Sequence, residues 1–89
     1  MTLLKESKQV HCIGISGIGM SALARWFKAH GWKVSGSDSD TDNAISKGLK
    51  REGIKVFQGH ALKNIPAHTS LIIRSQAITS DNPELKAAV

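Results

Sequence analysis

A short apolar run that ends in a glycine-rich turn and leads into a helical pattern constrains this chain most. Val10-His11-Cys12-Ile13-Gly14-Ile15 is largely apolar, as a parallel strand covered on both faces should be. Gly14, Gly17 and Gly19 follow, and Met20, Leu23, Ala24 and Phe27 then fall at i, i+3, i+4 and i+7, one face of a helix. Gly31 closes that helix in the C′ position. Strand, glycine turn and helix in this order place unpaired backbone N–H groups, and the positive end of a helix dipole, where the backbone can approach an anion closely.

The rest of the chain repeats the alternation. Lys33 to Ser37 reads as a second strand and Ser35 to Asn43 as a polar turn. Ala44 to Glu52 reads as a helix with Ile45 and Leu49 on one face, closed by Gly53. Ile54 to Phe57 is a third strand, Leu62 to Ile65 a short turn of helix before Pro66, and Ser70 to Arg74 a fourth strand. Asn82 is placed to cap a last helix, with Pro83 in its first position and Glu84 in its first turn. Alternation at this spacing predicts an α/β fold, a Rossmann-like open parallel sheet of about four strands in the order 3-2-1-4, with helices on both faces. The 89 residues make one small domain, and a final helix that has barely begun its third turn at Val89 suggests a piece of a longer protein.

Composition narrows the partners. Twelve basic against seven acidic residues give a net charge of +5. Only Lys50-Arg51 are adjacent, so no run reads as a nucleic-acid arm, and a bound phosphate is the better use of the excess. The single Cys12 excludes an internal disulfide and reads as a buried core thiol. His11, His30, His60 and His68 lack the spacing of a metal site. No run of 18 apolar residues suggests a membrane span, and the polar stretch from Met1 to Lys8 lacks the apolar segment of a secretory signal, so the expected compartment is the cytoplasm.

Three segments carry the chemistry. The turn from Gly14 to Ser21 is expected to cradle a diphosphate. Asp38, at the end of the second strand and 19 residues after Gly19, can accept hydrogen bonds from ribose hydroxyls, although Asp40 and Asp42 compete for that role. Ser75-Gln76-Ala77-Ile78 follows the fourth strand and borders the crevice where the strand order reverses. Trp26 and Trp32 read as packing residues. Against the dinucleotide fingerprint G-x-G-x-x-G, the middle position is Ser16 and Gly17 is extra, which weighs against the rival reading of a nicotinamide-dinucleotide domain.

These residues together resemble the N-terminal domain of Mur ligases. The resemblance is carried by His11 to Ser21, Val34-Ser35-Gly36-Ser37-Asp38, Gly59-His60, Ser75 to Ile78 and Asp81-Asn82-Pro83-Glu84-Leu85, in the family's order and spacing. It implies that the domain holds the UDP part of UDP-N-acetylmuramate. Gly17, Ile18, Gly19, Met20 and Ser21 would meet the diphosphate, with Ser16 part of the same UDP site, and Ser37 and Asp38 would meet the ribose. His60, Ser75, Gln76, Ala77 and Ile78 would line the uracil side. Ser16 and Gln76 depart from the family pattern, which usually has glycine and a small residue there. The resemblance also implies ATP and Mg2+ for the parent enzyme, bound by central and C-terminal domains that this chain does not include. No Gly-Lys-Ser or Gly-Lys-Thr occurs in the sequence, so binding without catalysis and no metal site are expected of the chain. Within the family, Gly17-Ile18-Gly19-Met20-Ser21 favours the alanine-adding branch over the branch that recycles a murein tripeptide.

Overall fold

A computed structural model describes residues 8–88. The stretch read as too polar for a secretory signal lies, up to residue 7, outside the described residues, as does Val89. The elements follow in the order β1 (Gln9–Ile13), α1 (Ile18–Ala29), β2 (Lys33–Asp38), α2 (Ala44–Arg51) and β3 (Lys55–Gln58). A 3-10 turn (Leu62–Asn64), β4 (Leu71–Arg74) and α3 (Pro83–Ala88) complete the chain. The four strands form one sheet in the order β3-β2-β1-β4, all parallel, as the alternation predicts. Central β1 pairs with both neighbours, with His11 opposite Ser35 and Ile72.

Alternation along the strands gives the sheet two different faces. Val10, Cys12, Val34 and Ile54 join Ile15, Ala24, Phe27 and Leu49 in the apolar core beneath α1 and α2. Burial pushes the Cys12 thiol up to about 12, as expected of a core thiol. His11, Ser35 and Ser37 point to the opposite face, where α3 and the 3-10 turn cover them; all three are buried.

The α1 stripe keeps Met20, Ala24 and Phe27 of the predicted face and takes Ser21 in place of Leu23. Ser21, Ala24 and Phe27 are buried and Met20 packs against the core, while Leu23 is 41% exposed. A buried face of this helix reads 20, 21, 24 and 27, and Ser21 fits it because its hydroxyl donates to the Ile18 carbonyl at 3.0 Å. Trp32 packs on the core and meets Phe27 edge-to-face at 4.9 Å. Trp26 is 52% exposed and stacks on His30, with ring centroids 4.0 Å apart. The expected helix punctuation is in place: Gly31 (φ 87°) and Gly53 (φ 88°) take the left-handed conformation after α1 and α2. Asn43 caps α2 by accepting from the Ser46 N–H at 2.8 Å.

Candidate functional site

The C-terminal ends of the parallel strands meet the N-terminus of α1 at a cleft of about 440 Å³. Gly14, Ser16, Gly17, Asp38, His60 and Ser75 are among its lining residues. The β1–α1 turn is fastened to the sheet, for Gly14 and Ile15 both donate N–H to the Ser37 carbonyl, at 2.7 and 3.0 Å. Gly14 sits at φ 88°, and a Cβ there would lie 2.9 Å from the Ser75 Cβ, so a glycine is required where this turn meets the β4 loop. Gly36 lets the turn lie against β2: a Cβ on it would come within 2.6 Å of the Cys12 carbonyl oxygen.

Gly17 is the N-cap of α1 and has an extended conformation, φ −66° and ψ 153°. Among the described residues no side chain caps this helix, and its first turn holds no acidic residue. The Ser21 N–H is the first to bond back, to the Gly17 carbonyl at 2.8 Å. The N–H groups of Ile18, Gly19 and Met20 have no acceptor among the described residues, and the Gly19 Cα faces open space. Three donors without acceptors at the positive end of a twelve-residue helix are an arrangement chemically suited to an anion.

Asp38 lies beside this end. Its Oδ2 accepts from the Ser16 N–H at 3.0 Å and its Oδ1 from the Ser39 N–H at 2.9 Å. A carboxylate offers about four lone-pair sites, so both oxygens keep acceptor capacity toward the cleft. The Ser16 hydroxyl makes a short hydrogen bond with the buried Ser46 hydroxyl of α2. The contact ties the glycine turn to α2 through a side chain.

On the other wall the Gly59 N–H donates to the Asp38 carbonyl at 2.7 Å, and Gly59 (φ 84°) turns the chain to bring His60 over the end of β2. The Ser75–Ile78 loop closes on itself, with the Ile78 N–H donating to the Ser75 carbonyl and the Ala77 N–H to the Ser75 hydroxyl. Arg74 donates to the Ile78 carbonyl at 3.1 Å from the end of β4.

Not every predicted site residue puts its side chain in the cleft. Ser16, Gly17, Asp38, His60, Ser75, Ala77 and Ile78 line it. Ile18, Gly19, Met20 and Ser21 bring only backbone to the helix end: the Ile18 side chain is 83% exposed, and Met20 and Ser21 turn inward. Gln76 is exposed outside the lining. Ser37 is fully buried beneath the cleft, its hydroxyl donating to Glu84 at 2.6 Å and paired with His60 Nδ1 at 2.8 Å. Ser39, Asp40 and Asn43 line the cleft in addition, on the polar turn after β2. Among the described residues no lysine or arginine lines it. Lys28, Lys33 and Lys55 surround a separate cleft of about 290 Å³ at the opposite ends of the strands.

Glu84 stands in the first turn of α3, as the sequence predicts, and is fully buried. It accepts from His11 Nε2 (2.7 Å), Ser37 Oγ (2.6 Å), Asn64 Nδ2 (2.9 Å) and the Ala61 N–H (2.9 Å). Burial raises its pKa, and the hydrogen bonds from Ser37, His11, Asn64 and Ala61 outweigh that cost and hold the carboxyl below its usual range. The signal that could have found it is His11: a polar ring in a strand buried on both faces requires a buried partner.

Comparison with known proteins places this architecture. Residues 9–89 match the family model described as "Mur ligase family, catalytic domain". The chain is 48% identical over 85 residues to a UDP-N-acetylmuramate–L-alanine ligase of Carboxydothermus hydrogenoformans, covering 96% of this chain and 18% of that protein. It is 40% identical over 81 residues to one of Syntrophomonas wolfei, covering 91% and 17%. It superposes on the UDP-N-acetylmuramate–alanine ligase of Thermotoga maritima with a TM-score of 0.84 at 35% identity, covering 90% of this chain and 18% of the other. A murein peptide ligase of Psychrobacter arcticus shares the fold, with a TM-score of 0.83 at 24% identity over 90% of this chain and 17% of that one. The chain therefore spans less than a fifth of the length of these relatives. The glycine turn, the β3-β2-β1-β4 sheet and a match running from β1 to the last residue agree, and the chain belongs to the Mur ligase family.

Proposed function

We propose that this domain binds the UDP moiety of UDP-N-acetylmuramate as the N-terminal domain of an ATP-dependent ligase that adds L-alanine in peptidoglycan precursor synthesis. The single observation that carries the reading is the uncapped N-terminus of α1, where the N–H groups of Ile18, Gly19 and Met20, which follow Gly17 of the cleft lining, have no acceptor among the described residues. The diphosphate sits on those donors, held by charge-assisted backbone hydrogen bonds in place of lysine or arginine. The ribose hydroxyls donate to the spare lone pairs of Asp38, whose carboxylate the Ser16 and Ser39 N–H groups hold in place. The base lies between His60 and the Ser75–Ile78 loop. Ser37 acts from below the cleft through His60.

ATP and Mg2+ would be held by other domains of the parent enzyme, where they would supply the energy of ligation. The residues here do not fit that group. The described residues contain no cluster of three His, Cys, Asp or Glu suited to a metal ion, and the sequence has no Gly-Lys-Ser or Gly-Lys-Thr. Central and C-terminal domains of the parent are the partners implied by relatives of five to six times this length. The compartment that goes with this substrate is the cytoplasm; among the described residues no helix is long and apolar enough to cross a membrane.

Calorimetric titration of the chain with UDP, UDP-N-acetylmuramate and NAD tests the reading. Binding of the two uridine nucleotides in preference to NAD is expected. Tighter binding of NAD would move the site to dinucleotide chemistry, and the absence of heat with all three would overturn the proposal.

A further inference from the structure

The buried network under the cleft fixes where protons sit, and this reaches the ligand. Glu84 Oε2 accepts from Asn64 Nδ2 and the Ala61 N–H, two groups that can only donate. Its Oε1 meets Ser37 Oγ at 2.6 Å and His11 Nε2 at 2.7 Å. Ser37 has one hydroxyl proton and spends it on Glu84, so toward His60 Nδ1, 2.8 Å away, Ser37 Oγ is an acceptor. His60 therefore carries its proton on Nδ1. Its Nε2 has no partner among the described residues, and the ring lines the cleft. In the neutral ring that Nε2 is a bare acceptor. His11 is set the other way: Nε2–H donates to Glu84, and Nδ1 accepts from Ser35 at 2.8 Å.

We infer that Glu84 is a positioning residue that, through Ser37, holds His60 in the Nδ1–H tautomer, so that the cleft selects a ligand presenting a hydrogen-bond donor to His60 Nε2. The inference rests on the proposed nucleotide site for its ligand and on hydrogen-bond polarity alone for its tautomers. With the ribose on Asp38 and the base against His60, that donor in a uridine nucleotide is the imide N–H of the base.

Glu84→Gln makes the sharpest prediction. A side-chain NH2 facing Asn64 Nδ2 and the Ala61 N–H would meet only donors, so the amide oxygen takes that side. The NH2 then donates to Ser37 Oγ and His11 Nε2. Ser37 is freed to donate to His60 Nδ1, and both histidines reverse: His60 becomes Nε2–H and His11 becomes Nδ1–H.

Long-range proton–nitrogen NMR correlation on the chain labelled with 15N-histidine reads these states without ligand. In the parent, the expected result is His60 protonated on Nδ1 and His11 on Nε2, with both reversed in Glu84→Gln. His60 protonated on Nε2 in the parent, or unchanged in the folded variant, overturns the inference. Should Glu84→Gln not fold, Ser37→Ala serves: it should release His60 from the Nδ1–H form while leaving His11 as it was, and an unchanged His60 overturns the inference equally. Calorimetry then gives the ligand arm. UDP should bind Glu84→Gln roughly tenfold more weakly, as a donor facing a donor leaves one hydrogen bond unmade. In the parent, 3-methyl-UDP, which lacks the imide N–H, should lose affinity, and that loss should shrink in Glu84→Gln. 3-Methyl-UDP binding the parent like UDP, or a loss that persists undiminished in the variant, contradicts the donor-selecting role. UDP failing to bind at all, with the tautomers as described, would sink the nucleotide assignment and leave the proton arrangement standing.

Discussion

Gly14 and Gly17 stand three residues apart in one turn and are glycines for different reasons. Gly14 is in the left-handed region against Ser75, so Gly14→Ala strains the backbone and crowds the β4 loop. Gly17 has an ordinary φ of −66°, and a Cβ on it would meet nothing closer than the Gly14 carbonyl oxygen at 3.6 Å. The folded chain thus accepts a side chain at Gly17, while an anion on the helix end does not. Gly17→Val should leave the circular dichroism spectrum and the melting transition close to the parent's. It should weaken UDP binding roughly a hundredfold or more, since displacing two charge-assisted hydrogen bonds costs about 1.5–3 kcal/mol each. Lys63→Ala, on the exposed 3-10 turn outside the cleft lining, should bind UDP like the parent. A folded Gly17→Val that binds as well as the parent would remove the diphosphate from this turn. The sequence shows that glycines cluster here; their backbone angles follow from how the turn packs on β2 and β4, and no single-residue pattern contains that.

At the scale of elements, α3 is short, and its hold on the sheet depends on Glu84. Asn82 Oδ1 accepts from the Glu84 N–H at 2.9 Å, the predicted cap, and the carboxylate itself reaches β1, β2 and the 3-10 turn. Its folded pKa is held below its ordinary value of 4.5. A group of that kind adds stability that is fully present above the unfolded pKa and is lost as pH falls through the folded one. Denaturant melts of the chain should therefore lose stability as the pH is lowered below about 4.5, with a smaller loss over the same window in Glu84→Gln. Equal pH slopes for the two proteins would show that Glu84 is not ionised in the fold. The start of α3 was legible because Asn-Pro is a local signal. The destination of Glu84 was not, because its partners lie 20 to 73 residues away. The α1 face was misjudged by one position for a similar reason: periodicity marks Leu23, but Ser21 can satisfy its own hydroxyl within the helix and take the buried place.

Across the whole molecule, the two sides of the sheet divide the work. Beneath α1 and α2 the apolar core fixes the strand order, and this was the part most open to sequence reasoning, since alternating strands and helices admit few topologies. Beneath α3, buried polar groups link His11, Ser35, Ser37 and Glu84 to the cleft above. The cleft itself was legible in outline, because ligands of open α/β sheets gather at the carboxyl ends of the strands where the order reverses. Which side chains enter it was less so: Ser37 is drawn under the sheet by Glu84, and Gln76 is left outside by the tight turn of its loop. The net charge of +5 pointed to a phosphate without saying where, and its lysines gather partly at the far ends of the strands.

Amide chemical-shift mapping during a UDP titration reads whether a diphosphate rests on the N–H groups at the start of α1. The largest downfield amide shifts are expected at Ile18, Gly19 and Met20, with accompanying changes at Asp38 and His60, and smaller responses to NAD at equal concentration. Shifts confined to the basic cleft around Lys28, Lys33 and Lys55, or larger responses to NAD at the helix start, would contradict that placement.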